Sequence, residues 1–379
     1  MTFLYILLAI VILLFMVLVH EFGHYIAGKI LKFKITEFSV GFGFALFSHT
    51  SKKTGEKFSF RIFPLGGYCA FEGEDDKENS ESPTTFNNQK PWKRIIVFLA
   101  GVTANFLTAI VFSWVLLSTT GYDVPQIVKY NTEYANPYQV GDVITEIDGV
   151  EIDFAFGENF VPLINKQRSE AKSKYQLYFD EFGELPTNPA DFHTFEMHVR
   201  RDGKGHDLTI VVYPKMETKT LEDNTTEDYI NCYVGLESGE DEEPCTRAYV
   251  YNAWEGFCRS FEMAFGFAWV VLKSLWQLIT FQIPITQVGG TITTISTIAT
   301  FASQSMSYLL IFIPLIAANL AVFNLLPFPS LDGSHVVYTL IEWIRGKPLN
   351  RKVVNIINTV GISILFAFVI IVDIIQLFV

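Results

Sequence analysis

Charged residues are scarce in this chain. Of its 379 residues only 18% are charged, whereas 50% are hydrophobic and 15% are aromatic. A soluble enzyme of this size is far less apolar. The charges that are present sum to −12, and an acidic balance argues against a nucleic-acid partner. The composition therefore predicts a membrane protein whose surroundings are lipid.

Cysteine is scarce as well. The four cysteines show no CxxC spacing and no dense disulfide framework. Cys232 and Cys245 fall in the same part of the chain, between two long apolar runs. The sequence is compatible both with a disulfide between these two residues and with a pair of free thiols.

Long apolar runs, in contrast, are abundant. Four of them are long enough to cross a bilayer, namely Phe3–Val19, Ile95–Thr119, Tyr308–Leu326 and Val353–Val379. Phe257–Ile283 is interrupted by charged residues and fits better a helix that lies along the membrane. The first run lacks a basic region before it and a small-residue cleavage site after it, so we expect a retained span and not a signal peptide.

Basic residues follow the first and the third of these runs. Lys29 to Lys57 and Lys90 to Arg94 lie in the first connection, and Arg345 to Lys352 lie in the connection after the third run. Basic connections favour the cytoplasmic side. The segment Gly121–Trp254 is then predicted to lie outside the cytoplasm.

The end of the first run carries the pattern His20-Glu21-Phe22-Gly23-His24. On a helix, histidines four residues apart share one face and can bind one metal ion, and the glutamate beside them can accept a proton from water on that metal. Ionisable side chains within a membrane are costly and usually functional. The pattern predicts a zinc site that needs a third ligand from elsewhere in the chain.

The best candidate for the third ligand is Asp332, in the segment Asn324–Ser334 that ends the third apolar run. Its carboxylate would complete a site of two nitrogens and one oxygen and leave one position for water. Alternatively, Asp332 caps the helix predicted for Gly333–Arg345. The predicted membrane depth, which matches that of the two histidines, favours a ligand.

A β-hairpin is predicted between the first two spans. In Lys57–Phe71 apolar and polar residues alternate, a turn is predicted at Pro64-Leu65-Gly66-Gly67, and the apolar stretch Phe38–Phe47 precedes it. We expect this hairpin to dip into the bilayer against protein and to bind substrate by strand addition, although an ordinary surface hairpin is also compatible. The expected contacts are Phe58, Ser59, Phe60, Arg61, Ile62, Gly66 and Gly67.

The segment outside the cytoplasm is predicted to be a small α+β domain. Val140–Ile152 alternates around an Asp-Gly turn, Phe195–Tyr213 predicts two strands joined by a glycine-containing turn, and Phe156–Asp191 is mixed and partly helical. The acidic stretch Glu217–Glu243 is predicted to be a solvated linker. Asn105, the polar residue within the second run, is expected to bond between helices.

Four motifs occur in order along the chain: HEFGH, FRIFPLGGYCAFEGE, AGVTANF and NLLPFPSLDG. Their combination resembles the site-2 protease family of bacterial intramembrane zinc metalloproteases. The resemblance implies that His20, His24 and Asp332 bind zinc and that Glu21 is the catalytic acid and base. It also implies a membrane-reentrant β-loop around Pro64–Tyr68 and a contact between Asn324 and the extended substrate.

Some positions depart from this resemblance. Val102 and Phe44 stand where proline is usual, and Ser334 replaces the second glycine of the LDGG motif. The stretch VGDVITEIDGVEI resembles the core of a PDZ domain, but the insert Phe156–Asp191 is unusual there and puts peptide binding by that domain in doubt. None of the departures falls on an implied zinc ligand.

The expected fold is an α-helical membrane protein of about four spans with a membrane-reentrant hairpin and an inserted extracytoplasmic PDZ-like domain. The expected boundaries are 1–120, 121–216, 217–256 as a linker, and 257–379. The resemblance implies cleavage within single-span membrane proteins, already trimmed by another protease, in the bacterial inner membrane; an anti-sigma factor or a signal-peptide remnant would be such a substrate. The alternatives are a membrane-anchored zinc protease for misfolded proteins and a catalytically idle scaffold.

Overall fold

The computed structural model describes residues 2–74, 85–122, 124–153, 157–220, 226–237, 243–284, 286, 289–304 and 309–376. The helices are α1 (Thr2–Ile30), α2 (Pro91–Thr119), α3 (Phe160–Phe182), α4 (Ala253–Ile279), α5 (Thr291–Gln304), α6 (Leu309–Leu325), α7 (Asp332–Arg345) and α8 (Arg351–Gln376). The strands are β1 (Ile35–Thr50), β2 (Lys57–Phe71), β3 (Pro125–Ile127), β4 (Val143–Ile147), β5 (Val150–Glu151), β6 (His193–Arg201), β7 (Lys204–Thr220), β8 (Thr226–Tyr233) and β9 (Thr246–Ala248). The chain forms two compact units, residues 1–115 with 258–379 and residues 116–257.

Three helices in the described part of the chain are long and apolar enough to cross a membrane: Phe3–Ile30, Pro91–Thr119 and Arg351–Gln376. They coincide with three of the four predicted spans. The fourth prediction coincides with α6, which is apolar but only 17 residues long, and 17 residues of helix reach about 26 Å against a hydrocarbon core of about 30 Å. A count of four spans is therefore not confirmed, and α4 does not qualify as a span.

The hairpin of the first unit is more elaborate than the sequence predicts. Residues 35–40 of β1 pair with residues 67–71 on one side and with residues 57–60 on the other, and residues 57–60 also pair with residues 47–50. Two bent strands thus make a sheet of four segments. The bend of β1 lies at Gly41 and Gly43, both at positive φ, where a side chain on Gly41 would meet the Phe63 carbonyl.

The reversal of the hairpin lies at Ser51–Glu56, where the Ser51 N–H donates to the Glu56 carbonyl at 2.8 Å. The prediction of a turn at Pro64-Leu65-Gly66-Gly67 is wrong, because β2 runs through these residues as a continuous strand. There the strand changes the segment of β1 with which it pairs, from Phe42 opposite Phe63 to Val40 opposite Gly67. Gly66 and Gly67 allow β2 to approach Phe42 and the Ser39 carbonyl closely, and they do not reverse the chain.

The carboxylate of Glu37 holds the segments of this sheet together. It accepts hydrogen bonds from the Ser59 hydroxyl at 2.5 Å, from Arg61 at 2.8 Å and from the Tyr68 hydroxyl at 2.9 Å. Burial by itself raises the pKa of Glu37, but these three donors outweigh it and lower the pKa to about 2. Glu37 therefore stays ionised, and its contribution to stability is present above its ordinary pKa of 4.5 and is lost as the pH falls toward 2.

A cluster of buried aromatic side chains joins the end of α1, the hairpin and α2. Its rings are those of Phe33, Phe71, Phe86 and Phe98, each with less than a tenth of its surface exposed. Neighbouring rings lie 5.1 to 5.7 Å apart between centroids, a spacing typical of favourable aromatic packing. The cluster fixes the hairpin against α1 and α2 beside the histidine pair.

The second unit contains a sheet in the order β8-β7-β6-β4-β3-β9, with β5 on β4. Its two predicted tight turns are confirmed, since Asp148-Gly149 and Asp202-Gly203 both have positive φ at each residue. Helix α3 packs on β6, β7 and β8, so the helical content predicted for this insert is confirmed. The likeness to a PDZ domain stays a prediction.

The linker prediction for Glu217–Glu243 is wrong in its described part. β7 extends to Thr220, and β8 pairs with it residue by residue. In β8 the acidic residues Glu227 and Asp228 are exposed near the start of the strand, whereas Ile230 and Cys232 further along are buried. The described part of this acidic stretch is therefore folded into the sheet. Residues 221–225 and 238–242 lie outside the described residues. Cys232 and Cys245 are both buried, and no disulfide joins them.

Candidate metal centre

Helix α1 and the start of α7 bring the three predicted metal ligands together. His20 and His24 are buried, one turn apart, with their Nε2 atoms 3.2 Å from each other. The Oδ2 atom of Asp332 lies 3.0 Å from His20 Nε2 and 3.3 Å from His24 Nε2. Among the described residues, these three form the one group of histidine, cysteine and acidic side chains placed to hold a metal ion.

The spacing of these atoms fits zinc. Four ligands at bonds of about 2.0–2.1 Å in a tetrahedron stand about 3.3 Å from one another, close to the 3.0 to 3.3 Å between the three ligand atoms. The Asp332 Oδ2 atom is also buried without a hydrogen-bond donor. A buried carboxylate oxygen in that position needs a cation, and two imidazoles with one carboxylate are donors that zinc accepts.

The alternative that Asp332 caps the following helix is not favoured by the geometry. Asp332 is the first residue of α7, the residue before it is Leu331, and no side chain caps the helix. The Asp332 carboxylate faces the two histidines instead. This arrangement supports the ligand interpretation.

The outer nitrogens of both histidines are also held. His24 Nδ1 donates to the Val97 carbonyl at 2.8 Å, which leaves Nε2 with a free lone pair for a metal. The Asn105 amide lies 3.3 Å from His20 Nδ1, and Asn105 is fully buried with Oδ1 lacking a partner. Metal binding through His20 Nε2 requires a proton on Nδ1, so the Asn105 amide satisfies both groups when its oxygen faces the ring.

Asn105 therefore does more than link two helices, because its amide contacts a predicted metal ligand. The sequence contained a signal, since a buried asparagine in an apolar span stands four residues after Gly101, on the same face of α2. A Cβ atom on Gly101 would lie 2.4 Å from His24 Nε2 and 2.7 Å from His20 Cε1. The two α2 residues thus form a wall against which both imidazoles rest, a role that sequence reasoning did not assign to Gly101.

We expect Gly101→Ala to displace the imidazoles and to reduce zinc affinity. Mutation of a group that supports metal ligands typically lowers metal affinity 10- to 100-fold. A clash with both imidazole rings should lower zinc affinity by roughly the same factor. Zinc content after purification and a chelator titration would measure the loss. Thr103→Ala, at an exposed position of the same helix, is the matched control. Wild-type zinc affinity in Gly101→Ala would contradict this packing.

Glu21 lies in a cavity of about 230 Å³ that is also lined by His20, His24, Asp332 and Asn324. The cavity thus brings the predicted catalytic residue, the three predicted ligands and the predicted substrate contact into one place. The Cys69 backbone donates a hydrogen bond to the Glu21 carboxylate. Gly67 is adjacent, since a Cβ atom there would lie 3.1 Å from Glu21 Cγ.

The expectation that substrate adds as a strand along Phe58–Ile62 is wrong for Phe58–Phe60, which have no free strand edge. Residues 57–60 are paired on both sides, Arg61 is opposite Ala45, and Ser59 is buried beneath Glu37. Alternation reveals a strand but not its position in a sheet, because the second pairing partner is set by the tertiary fold. The strand segment beside Glu21 is Gly67–Phe71. In the part of the chain that the structure describes, no strand pairs with the outer side of that segment.

Comparison with known proteins agrees with this geometry. The profile of peptidase family M50 matches residues 8–368. The chain belongs to peptidase family M50. Curated relatives named "Putative zinc metalloprotease" include proteins of Clostridium perfringens, 28% identical over 98% of this chain and 97% of the relative, and of Campylobacter jejuni, 25% identical over 94% and 89%. A relative from Synechocystis is 29% identical over 91% of this chain and 86% of its own length.

As an M50 metalloprotease, the protein is a membrane protein that uses zinc. Zinc, the metal of these metalloproteases, fits the donor set of His20, His24 and Asp332. The names of these relatives specify a zinc metalloprotease and no substrate.

A second, larger cavity adjoins the site of this M50 protein. It measures about 940 Å³ and shares Tyr68, Cys69, Phe98, Ser330 and His335 with the smaller one. Its polar lining includes Asn355, Asn358 and Arg351 from α8, a helix that is long and apolar enough to cross a membrane. Sequence reasoning missed these α8 residues, because nothing in their spacing connects them with the metal.

Proposed function

We propose that this M50 protein is an intramembrane zinc endopeptidase that hydrolyses peptide bonds within the membrane-spanning segments of single-span proteins. The main support for this proposal is the position of the metal centre on a candidate membrane span. His20, Glu21 and His24 lie within Phe3–Ile30, the most apolar of the candidate spans. Catalytic side chains on a membrane helix imply a substrate that is reached inside the membrane.

The chain's own residues have distinct roles in hydrolysis. Bound zinc supplies a Lewis acid that makes water more acidic and polarises the scissile carbonyl. Glu21 accepts the proton of the attacking water and returns it to the leaving amine. The Cys69 backbone N–H orients Glu21 by donating to its carboxylate. Asn324, which lines the same cavity, is placed to bind the unwound substrate backbone.

Substrate docks, in this proposal, along Gly66–Phe71 by strand addition. A membrane helix hides its carbonyls in internal hydrogen bonds, so its backbone groups need new partners when it unwinds. The outer side of Gly67–Phe71 is unpaired by any described strand and runs past Glu21. Backbone pairing binds different sequences with little dependence on their side chains.

Cysteine crosslinking tests which edge binds substrate. In a Glu21→Gln enzyme, a substrate with one cysteine near the cut should form a disulfide with native Cys69, which lines the catalytic cavity. The other edge of the sheet, residues 47–50, supplies the control, a Cys69→Ala, Phe47→Cys enzyme. We expect at least tenfold more crosslinked product through Cys69. Equal yields at both edges would exclude docking along Gly66–Phe71.

The location of the protein and its substrates are also proposals. Basic residues in two connections support a metal centre toward the cytoplasm of a bacterial cell, in the inner membrane, with the segment Gly121–Trp254 outside the cytoplasm. That segment would exclude substrates whose outer domain has not been removed by another protease. The substrates supported by this arrangement are trimmed single-span proteins, such as an anti-sigma factor or a signal-peptide remnant.

Reconstitution tests the function directly. The enzyme in liposomes should cleave a single-span substrate with a short outer segment and leave the same substrate with a folded outer domain intact. A chelator should stop the reaction, and zinc should restore it. Cleavage of an unfolded soluble protein with no cleavage of the membrane substrate would favour a membrane-anchored protease for misfolded chains.

A further inference from the structure

Ser330 has an unusual backbone conformation beside the metal centre. Its φ is +76°, a left-handed conformation that residues other than glycine, asparagine and aspartate rarely adopt. Ser330 lines the catalytic cavity and precedes Asp332 by two residues. Any relaxation of Ser330 toward an ordinary conformation would redirect the chain just before the Asp332 carboxylate.

Asn358 of α8 holds Ser330 in this conformation. The Asn358 Oδ1 atom accepts the Ser330 N–H at 3.2 Å, and the Asn358 carbonyl accepts the Ser330 hydroxyl at 2.7 Å. The same Oδ1 atom also accepts the Tyr338 hydroxyl at 3.2 Å. One residue thus connects α8, the turn before Asp332 and the helix α7 that Asp332 begins.

The packing of α8 beside this turn is close. A Cβ atom on Gly361, three residues after Asn358, would lie 2.4 Å from Pro329 Cβ. The other end of α8 is attached elsewhere, since Asp373 accepts the Ile292 N–H and Gln376 donates to the Thr286 carbonyl. Between these ends most α8 side chains are exposed, so the contact at Asn358 is where α8 meets the metal centre.

We propose that Asn358 is a positioning residue for the metal centre, which fixes the Asp332 carboxylate by holding Ser330 in its left-handed conformation. The inference rests on the proposed role of Asp332 as a ligand. It assigns a function in metal binding to α8, a helix that contributes no ligand itself. The cost of the unfavourable Ser330 backbone is offset by the two hydrogen bonds that Ser330 donates to Asn358. The Tyr338 hydroxyl donates to the same Asn358 Oδ1 atom and orients that side chain.

The first test compares Asn358→Ala with Asn355→Ala. Asn355 lies on the same helix and lines the same large cavity, but it is not bonded to the Ser330 turn. Zinc affinity of the full-length protein in detergent is measured by chelator competition. We expect roughly a tenfold or larger loss in Asn358→Ala, by analogy with other groups that orient ligands, and no loss in Asn355→Ala. Equal affinities in the two variants would overturn the proposal.

The second test separates positioning from general destabilisation. Glycine adopts the left-handed conformation readily, so adding Ser330→Gly to Asn358→Ala should restore part of the lost zinc affinity. A purely structural defect in α8 would not be repaired at Ser330. A double variant that binds zinc no better than Asn358→Ala overturns the proposal.

Asp332→Ala, in the same zinc assay, distinguishes a wrong ligand assignment for Asp332 from a wrong positioning role for Asn358. If Asp332→Ala retains zinc, the ligand assignment itself fails, and Asn358 has no carboxylate to position. If Asp332→Ala loses zinc while Asn358→Ala keeps it, the metal centre stands and the role of Asn358 alone is refuted.

Discussion

Glu21→Gln is expected to abolish cleavage while zinc stays bound. Glutamine has almost the shape of glutamate but cannot accept the proton of the attacking water, and loss of a general base typically costs 10²- to 10⁴-fold in rate. His20, His24 and Asp332 are unchanged in this variant, so the metal keeps its three ligands. A cleavage assay in liposomes and zinc analysis of the same sample measure both quantities.

Glu74→Gln is the matched control for this experiment. Glu74 lines the same cavity as Glu21, but it is not part of α1, and its carboxylate accepts the Phe71 N–H. We expect Glu74→Gln to retain most of its activity. Turnover of Glu21→Gln within about tenfold of the wild type, with zinc present, would contradict the assignment of Glu21 as the base.

Asp332→Ala is expected to lose both zinc and activity. If Asp332 were only a helix cap, its replacement would cost about 1 kcal/mol of stability and leave the metal in place. As a ligand it supplies the one oxygen of the site, and its removal leaves two histidines. Zinc content at equal protein concentration separates these outcomes, because only the ligand role predicts a metal-free protein.

Ser334→Ala controls for damage to the start of α7. The Ser334 hydroxyl donates to the Leu331 carbonyl at 2.8 Å, and the residue is buried. Its replacement disturbs the same first turn without removing a metal ligand, so zinc should remain bound. A similar loss of zinc in both variants would indicate that the helix start, and not the Asp332 carboxylate, determines metal binding.

The sequence reveals the metal ligands more readily than their supports. His20 and His24 are four residues apart, so local helix geometry alone places them together, and Asp332 is identified from a helix break at matching membrane depth. Gly101, Asn105 and Asn358 act across helix contacts that no local pattern encodes. Their roles follow only from the packing of α2 and α8 against the site.

The hairpin shows a different limit. Alternation in Lys57–Phe71 correctly predicts a strand, yet it does not predict which segments are internal or where the chain reverses. The glycines at 66 and 67 have the composition of a turn, but they accommodate Phe42 and the Ser39 carbonyl. A single sequence carries no record of such non-local pairing, since register depends on partners elsewhere in the chain.

The division of the metal centre between α1 and α7 has a consequence for biosynthesis. The histidine pair is synthesised before the unit of residues 116–257, whereas Asp332 and Asn358 are synthesised after it. A ribosome-bound fragment that has inserted α1 and α2 already carries HEFGH but lacks the carboxylate ligand. We therefore expect a fragment that ends before α7 to lack protease activity, because it lacks the Asp332 carboxylate.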